Sequence, residues 1–355
     1  MPDPARLLPS PAMRPWHRLL LCSVLLPAAV LAGRVPAAAV PGPAEVLAAA
    51  RAAPDGSRVT GVSEGPGRLL LLRVYSAAMD AVFEVRVLRA ADPSAPAPVL
   101  YLLNGAHGGT DASSWTDQTD VADFFADDQV TVVVPMGGRG SYFTDWRADD
   151  PVLGRQRWKT FLTEELPPIV DATFAGTGAN AIAGISMGGT SVFQLAAAKP
   201  GLFRAVGSYS GCVGTSDPQG QAMVSAVVTR WSGNPANMWG PPGDPAWAAN
   251  DPAVHADLLR GTTIYVSSGT GLPGEFDTLD GPGIAGNPGK LAGQLTNGGV
   301  LEAVTHACTL ALRARLDAAG VPATFVTRPF GTHSWGYWQR ELHESWPGFA
   351  EALRR

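Results

Sequence analysis

The chain of 355 residues is poor in charge. Asp, Glu, Lys and Arg make up only 16% of it, and its formal net charge is −5. No basic cluster stands out, which argues against nucleic acid as a partner. The sequence also lacks internal repeats, metal-ligand spacings and histidine pairs four residues apart. We therefore expect no metal and no cofactor.

No apolar run is long enough to cross a membrane. Residues 19–32 form an apolar stretch of about 14 residues that contains Pro27, whereas a span needs about 20. Basic residues precede this stretch, and small residues follow it as far as Ala39. This order is typical of a secretory signal peptide. We expect residues 1–39 to be a signal peptide cleaved between Ala32 and Ala39, giving a secreted or cell-envelope protein with no transmembrane segment in the mature chain.

Cysteine is scarce as well. Of the three cysteines, Cys22 lies in the predicted signal peptide, where Leu21 occupies a position that a lipoprotein signal reserves for a small residue. Cys212 and Cys308 remain in the mature chain, and an oxidising compartment permits one disulfide between them. That bond would close a loop of 308 − 212 = 96 residues. Two buried free thiols are the alternative.

Apolar material is abundant: hydrophobic residues make up 46% of the chain. Residues 68–75 and 82–88 predict an antiparallel pair of strands, and later apolar runs alternate with segments of helical periodicity. The later strands are predicted at 98–103, 130–135, 181–185, 205–210, 263–267 and 323–327. The helices are predicted at 121–127, 158–170, 191–198, 301–318 and 337–353. This alternation predicts an α/β fold with a mostly parallel sheet covered by helices on both faces.

The alternation also predicts the domain organisation. Residues 40–66 are rich in Ala, Pro and Gly, and we expect a loose arm there. No linker interrupts residues 67–355, which we expect to form a single α/β domain. An insertion at 217–257, rich in Trp, Pro, Asn and Gly, lies where hydrolases often carry a cap.

The most informative motif is Gly184-Ile185-Ser186-Met187-Gly188. It lies between a predicted strand and a predicted helix, and a G-x-S-x-G sequence in that setting is the nucleophile elbow of α/β-hydrolases. Its glycines leave room around a serine held on a strained backbone. We therefore predict the α/β-hydrolase fold, with Ser186 as the nucleophile.

A nucleophilic serine needs a base, which in this fold follows it along the chain. Four histidines come after Ser186. His333 lies in a loop just past the last predicted strand, where its imidazole can approach the serine. His306 and His343 fall on predicted helices and His255 in the insertion, so we expect these three on the surface or in the core.

The acid that orients the base is less well determined by position. A hydrolase acid commonly follows the penultimate strand, which favours Glu275 or Asp277. Glu302, at the start of the next predicted helix, competes with them. The residues alone leave these alternatives open.

The oxyanion hole of this fold combines the N–H of the residue after the nucleophile with one from an early loop. The first of these is the N–H of Met187. Residues 103–109 follow the first central strand and are rich in glycine, and the Ala106 N–H is the candidate for the second.

Several tracts resemble one family, the secreted mycolyltransferases of mycolic-acid-bearing actinobacteria, which include the antigen 85 complex and its corynebacterial and nocardial relatives. The similarity runs from about residue 99 to residue 342. The tracts are Tyr-Phe-Thr-Asp-Trp at 142–146, Trp-Lys-Thr-Phe-Leu-Thr-Glu-Glu at 158–165, Met-Trp-Gly-Pro at 238–241, Asp-Pro-Ala-Trp at 244–247, Asn-Asp-Pro at 250–252 and His-Ser-Trp-Gly-Tyr-Trp at 333–338.

The resemblance implies roles for particular residues. In that family the acid is a glutamate in a Leu-Glu context, some thirty residues before the histidine. Glu302 matches this position, since 333 − 302 = 31, and Glu275 becomes the reserve. By the same matching, Ala106 and Met187 supply the oxyanion hole.

The resemblance further implies a substrate site. Asn104, His107 and Trp335, with the neighbouring Ser334, fall where the family contacts its substrate. The antigen 85 proteins have Asp and Arg in place of Asn104 and His107, so this chain is nearer to the corynebacterial pattern.

The implied activity is transfer of a mycolyl group from trehalose monomycolate to a sugar hydroxyl through an acyl-enzyme. The acceptor would be a second trehalose monomycolate or arabinogalactan, and peripheral contact with envelope lipid is implied. A secreted carboxylesterase with water as acceptor is the alternative on the same fold. A non-catalytic envelope binding protein is the alternative of another class.

Overall fold

Nine strands form one sheet in the computed structural model, which describes residues 40–355. The signal peptide predicted for residues 1–39 lies outside the described residues. The strands are β1 (Arg58–Glu64), β2 (Leu69–Ser76), β3 (Ala81–Leu88), β4 (Ala97–Leu103), β5 (Thr131–Pro135), β6 (Gly176–Ile185), β7 (Phe203–Tyr209), β8 (Thr263–Ser268) and β9 (Thr324–Thr327). Their order across the sheet is β1-β2-β3-β5-β4-β6-β7-β8-β9.

The sheet is parallel from β5 to β9, and the first three strands add an antiparallel edge. Parallel strands end at the same edge of a sheet. The residues that follow β4, β6, β7, β8 and β9 are therefore brought together there, and in open α/β sheets this edge carries the ligand site.

Helices cover both faces, as predicted. They are α1 (Pro43–Ala49), α2 (Trp115–Gln118), α3 (Val121–Phe124), α4 (Trp158–Thr160), α5 (Leu166–Phe174), α6 (Met187–Ala198), α7 (Pro218–Arg230), α8 (Pro235–Trp239), α9 (Pro245–Ala249), α10 (Pro288–Gly293), α11 (Gly299–Ala319) and α12 (Trp335–Arg354). A π-helical segment, Phe161–Glu165, joins α4 to α5, and another, Gln294–Gly298, joins α10 to α11.

The central strands show why the sheet is covered twice. In β4, Val99, Tyr101 and Leu103 belong to one hydrophobic core, and Leu100 and Leu102 belong to the other. Successive side chains of a strand point to opposite faces, so a nearly continuous apolar run fills both cores. The cores are completed by α5, α6 and α11 on one face and by α3 and α12 on the other. The predicted α/β fold is confirmed.

Residues 40–66 are not the loose arm that their composition predicts. They contain α1 and the edge strand β1, which pairs antiparallel with β2 from Arg58 opposite Tyr75 to Glu64 opposite Leu70. Val46 and Val59 are buried in the core. The folded part of the chain therefore includes residues 40–66, which pairing with β2 and burial in the core hold in place.

The two cysteines of the predicted mature chain form a disulfide, Cys212–Cys308, so the alternative of two free thiols is wrong. The bond ties the loop after β7 to α11. The insertion at 217–257 contains the three helices α7, α8 and α9. Among residues 40–355, no helix combines the length and apolar character that a membrane span requires.

Candidate active site

Ser186 lies at a sharp turn between β6 and α6. Its backbone has φ 53° and ψ −122°, a conformation that a non-glycine residue rarely adopts. The Ser186 N–H donates to the carbonyl of Tyr209 at the end of β7 over 2.9 Å. This bond anchors the turn to the neighbouring strand.

The two glycines of the motif are required by close packing. A Cβ on Gly184 would lie 2.6 Å from the backbone of Gly188, and one on Gly188 would lie 2.5 Å from the carbonyl oxygen of Asn104. Both distances are far below van der Waals contact. Only glycine lets the strand, the turn and the loop after β4 approach one another this closely.

Glu302 and His333 are directly paired. The Nδ1 atom of His333 lies 2.8 Å from Oε2 of Glu302, a carboxylate that is only 1% exposed. The other carboxylate oxygen accepts from the Ser210 hydroxyl over 2.9 Å and from the Gly269 N–H over 2.7 Å. The hydroxyl of Thr305 adds a longer contact of 3.3 Å to Oε2. The carboxylate is thus fixed in position, and it holds one nitrogen of the imidazole.

Two further contacts fix the position of His333. Its backbone N–H donates to the carbonyl of Gly298 over 3.2 Å, and its ring packs edge-on against Trp338 at 4.9 Å between centroids. The indole N–H of Trp338 donates to the same Ser210 hydroxyl that donates to Glu302. Because Nδ1 is engaged with the carboxylate, Nε2 is the nitrogen available for a reacting group.

Hydrogen bonds of neighbouring residues connect Ser186 to the Glu302–His333 pair at this edge of the sheet. Tyr209 accepts from the Ser186 N–H, and the next residue, Ser210, bonds Glu302. Within residues 40–355 no hydrogen bond joins the Ser186 hydroxyl to His333. Such bonds are often long without substrate and tighten in the substrate complex.

Two backbone N–H groups beside the serine are unused. Within the part of the chain that the structure describes, neither the Ala106 N–H nor the Met187 N–H donates to another protein group. The loop after β4 runs next to the serine, since a Cβ on Gly105 would lie 3.5 Å from Cβ of Ser186. Free N–H groups at this position can hold a developing negative charge.

Asn104, for which the resemblance implies a substrate contact, lies at the start of the loop after β4. Its side chain is fully buried: its Oδ1 accepts from the Trp115 N–H over 3.2 Å, and its Nδ2 donates to the Pro135 carbonyl over 3.1 Å. These bonds shape the loop after β4. The side chain of Asn104 therefore holds the loop in shape, and its contact with substrate stays a prediction of the resemblance.

His107 lies on the same loop and is partly exposed. Its ring packs edge-on against Trp231 at the end of α7, and its Nδ1 atom is buried without a hydrogen-bond partner. Burial, followed by the charges of Arg230 and Arg139, lowers the pKa of His107 below its usual value. The structure thus places a histidine with a depressed pKa where the resemblance predicts a substrate contact.

Ser334 and Trp335 begin α12. The Ser334 side chain is buried, and its hydroxyl has no partner among the described residues. The partly exposed Trp335 ring packs edge-on against Trp115 and Trp338. Both residues follow His333 directly, so this end of α12 borders the site.

The alternative acids have other partners. Glu275 pairs with Arg340 on the surface. Asp277 accepts from the hydroxyl groups of Thr332 and Tyr337 and from the Gly274 N–H. Its carboxylate therefore fastens the residue before His333 rather than the imidazole itself.

Among the described residues, none of the other three histidines that follow Ser186 contacts Ser186 or the Glu302 carboxylate. His306 contacts the Ser268 hydroxyl, His343 pairs with Asp120, and His255 contacts a backbone carbonyl in the insertion. Among residues 40–355, no group of three or more His, Cys, Asp or Glu side chains could hold a metal ion.

Sequence reasoning missed Ser210. It has no motif around it, and its partner Glu302 lies 92 residues further along the chain. The one available signal was its position at the end of a predicted strand, at the edge where the other site residues gather.

The fold and the matched relatives define the class of protein to which this chain belongs. Residues 76–349 match the family model described as "Putative esterase". The crystal structure of MPT51 (FbpC1) from Mycobacterium tuberculosis covers 82% of this chain and all of its own length, with a TM-score of 0.67 and 25% identity. An S-formylglutathione hydrolase from Agrobacterium tumefaciens shares the fold at a TM-score of 0.56 and 14% identity, covering 83% of this chain and 99% of its own. The fold is that of the α/β-hydrolases.

Two relatives of higher sequence identity narrow the class of enzyme. The diacylglycerol acyltransferase/mycolyltransferase Ag85A of Mycobacterium leprae is 33% identical over 73% of this chain and 76% of its own length. Ag85B of the same species is 32% identical over 79% of this chain and 83% of its own. The chain belongs to this esterase family and is similar to its Ag85 mycolyltransferases. Its relatives indicate an enzyme that acts as an acyltransferase or an esterase.

Proposed function

We propose that the protein transfers a mycolyl group, a long-chain acyl group, from trehalose monomycolate to a sugar hydroxyl. The observation that carries the proposal is the buried pair of Glu302 and His333 at the sheet edge where Ser186 occupies its strained turn. A base oriented by a carboxylate beside a partly exposed serine is the arrangement that nucleophilic acyl transfer requires. The similarity to relatives named as diacylglycerol acyltransferase/mycolyltransferase supports transfer of a mycolyl group. The sugar rests on the family resemblance of the sequence tracts alone.

In the first step, Nε2 of His333 takes the proton of the Ser186 hydroxyl as the oxygen attacks the ester carbonyl. The negative charge that develops on the carbonyl oxygen is held by the N–H groups of Ala106 and Met187. When the tetrahedral intermediate collapses, His333 returns the proton to the leaving sugar oxygen. Trehalose departs, and the acyl group stays on Ser186.

The second step reverses the first with a new alcohol. His333 removes the proton from a hydroxyl of a second trehalose monomycolate or of arabinogalactan, and that oxygen attacks the acyl-enzyme. The ester forms on the acceptor, and the proton returns to Ser186. Glu302 stabilises the imidazolium in both steps without taking a proton itself.

The two rival functions differ in measurable ways. A carboxylesterase of the same fold would transfer the acyl group to water. A non-catalytic binding protein would have no reactive serine. We propose a secreted or cell-envelope location, in keeping with the predicted signal peptide and the Cys212–Cys308 disulfide.

The test is the fate of radiolabelled trehalose monomycolate with the purified protein, with Ser186→Ala as the matched control. Trehalose dimycolate formed only by the wild type is the expected result. Free mycolic acid alone would identify a hydrolase and reject transfer. If a fluorophosphonate probe also failed to label Ser186, the catalytic reading itself would be rejected.

A further inference from the structure

The loop that follows β5 touches both residues whose N–H groups form the proposed oxyanion hole. We call residues 137–143 the β5 loop. The Gly140 N–H donates to the carbonyl of Ala106 over 3.0 Å, and the Tyr142 N–H lies 3.3 Å from the sulfur of Met187. The position of the β5 loop therefore bears on both oxyanion donors.

The backbone of the β5 loop is strained. Tyr142 and Phe143 are consecutive non-glycine residues with φ of 54° and 46°. Non-glycine residues keep such angles only where the surrounding structure forces them. One such contact is made by the Ser191 hydroxyl of α6, which donates to the carbonyl of Tyr142 over 2.7 Å. The shape of the loop thus depends on what packs against it.

Trp231, which directly follows α7 in the insertion, packs on the β5 loop. The guanidinium of Arg139 lies over the indole at 4.5 Å from the ring centre. A Cβ on Gly140 would lie 2.8 Å from Cδ1 of Trp231. A guanidinium over an aromatic face is attracted to it. The indole therefore holds the part of the β5 loop that donates to Ala106.

Trp231 also contacts the loop after β4. The ring of His107, the residue after Ala106, packs edge-on against the indole at 4.9 Å between centroids. Arg139 adds a second bridge, because its guanidinium donates to the hydroxyl of Thr110 over 2.6 Å. One tryptophan thus joins the two loops on either side of the hydrogen bond to the Ala106 carbonyl.

Contacts with the core fix the backbone of Trp231. Its N–H donates over 3.1 Å to the carbonyl of Val228, whose side chain is fully buried. Just beyond, the Asn234 N–H donates to the buried carboxylate of Asp150 over 2.9 Å. The indole therefore belongs to an anchored part of the insertion.

We propose that Trp231 is a positioning residue for acyl transfer: by packing against the loops after β4 and β5, it holds the Ala106 N–H where the oxyanion develops. The inference rests on the proposed function, because it takes Ala106 as an oxyanion donor. Such donors act by being fixed in place before the charge develops. A displacement of about 1 Å can lower the rate about 100-fold. The insertion thereby controls the chemical step rather than substrate binding.

The test is steady-state hydrolysis of p-nitrophenyl butyrate by the wild type and two variants of Trp231. We expect Trp231→Ala to lower kcat about 10- to 100-fold and to leave KM within about twofold, because the donor acts on the transition state. Trp231→Phe keeps a ring that can pack on both loops. We expect it to retain at least about one third of the wild-type kcat.

Phe124→Ala is the matched control. Phe124 is also a partly exposed aromatic residue that packs on a histidine, since its ring stacks on that of His343 at 3.9 Å between centroids. It packs against the core on the other face of the sheet. We expect its removal to leave kcat within about twofold of the wild type.

Hydrogen exchange provides a second measurement, which does not depend on catalysis. The amides of Gly137 and Gly140 donate to the carbonyls of Gly108 and Ala106 over 2.7 and 3.0 Å. We expect both amides to exchange at least about tenfold faster in Trp231→Ala than in the wild type, because the contacts between the two loops open more often. Mass spectrometry of peptides from residues 136–143 would measure the exchange.

Four kinetic results would overturn the proposal: an unchanged kcat in Trp231→Ala, a rise in KM without a fall in kcat, a Phe variant as impaired as the Ala variant, or an equal loss in Phe124→Ala. Unchanged exchange in Trp231→Ala would also overturn it. Thermal unfolding midpoints show whether each variant folds. If Trp231→Ala does not fold, Arg139→Ala, which removes the cation from the indole, is measured in its place.

The two proposals fail separately. If the wild type hydrolyses no ester and no fluorophosphonate labels Ser186, the proposed function is rejected, and hydrogen exchange still decides whether Trp231 holds the two loops. If the wild type transfers acyl groups while Trp231→Ala keeps its kcat and its exchange rates, the positioning role is rejected and acyl transfer stands.

Discussion

The hydroxyl of Ser210 donates to the carboxylate of Glu302 over 2.9 Å and accepts from the indole of Trp338 over the same distance. Trp338 also packs edge-on against His333. One small side chain at the end of β7 thus joins the acid to a residue that packs on the base. The orientation of the His333 imidazole depends on groups that never contact the substrate, a general property of sites built around an oriented histidine.

Replacing Ser210 with Ala is expected to lower kcat about 10- to 100-fold on a short acyl ester, with little change in KM. The carboxylate would lose one of its donors, and the indole of Trp338 would lose its acceptor. Steady-state kinetics on the purified variant would measure the effect. Thr305→Val is the comparison variant, because that hydroxyl donates to the backbone carbonyl of Glu302 over 3.0 Å and contacts the carboxylate only over 3.3 Å. Equal losses in the two variants would contradict a specific role for Ser210.

The Cys212–Cys308 disulfide joins the same two elements, the loop after β7 and helix α11. Cys212 lies two residues after Ser210, and Cys308 lies six residues after Glu302 on α11. Replacing both cysteines with Ser is expected to lower the free energy of unfolding by about 5 kcal/mol, because the unfolded chain regains the freedom of a 96-residue loop. Urea denaturation monitored by circular dichroism would measure it. An unchanged unfolding midpoint in the double variant would refute the expectation.

Gly188→Ala is expected to reduce esterase activity at least about 100-fold and to destabilise the protein by about 1–3 kcal/mol. The new methyl group would meet the carbonyl oxygen of Asn104 at 2.5 Å and that of Leu103 at 3.0 Å. These are backbone atoms, so the loop that carries Ala106 must shift away from the serine. Gly348→Ala on α12 is the control, since nothing lies within 4 Å of its new methyl group. Activity assays and thermal melts on both variants would measure these effects. A fully active Gly188→Ala protein would show that the close contacts of Gly188 do not control the geometry of the site.

The parts of the fold that the sequence predicted are those with strong local patterns. Strands β4 to β8 could be predicted as apolar runs because most of their residues are buried on both faces. The glycines around Ser186 could be recognised in the sequence because close packing requires them. The edge strand β1 was missed: its stability comes from pairing with β2, and its own composition does not reveal that.

The candidate site likewise divides into residues that the sequence could predict and residues that it could not. Ser186 and His333 could be located from a motif and from chain order. Glu302 needed the family resemblance, because nothing local separates it from Glu275 or Asp277. The burial of Asn104 and the role of Ser210 both depend on contacts between distant segments, which no spacing in the chain encodes.

His107 provides a prediction for acid stability. Its pKa in the folded protein is lowered, chiefly by burial and then by Arg230 and Arg139, relative to about 6.5 in an unfolded chain. At pH values above the unfolded pKa the ring is neutral in both states and titration adds no cost. As the pH falls below about 6.5, the unfolded state binds the proton more readily, so stability is lost down to the folded pKa. We expect His107→Gln to lose less stability than the wild type between pH 7.5 and pH 5, measured by urea denaturation at each pH. His255→Gln in the insertion is the control, and identical pH profiles for the wild type and His107→Gln would show that this histidine does not carry the acid sensitivity.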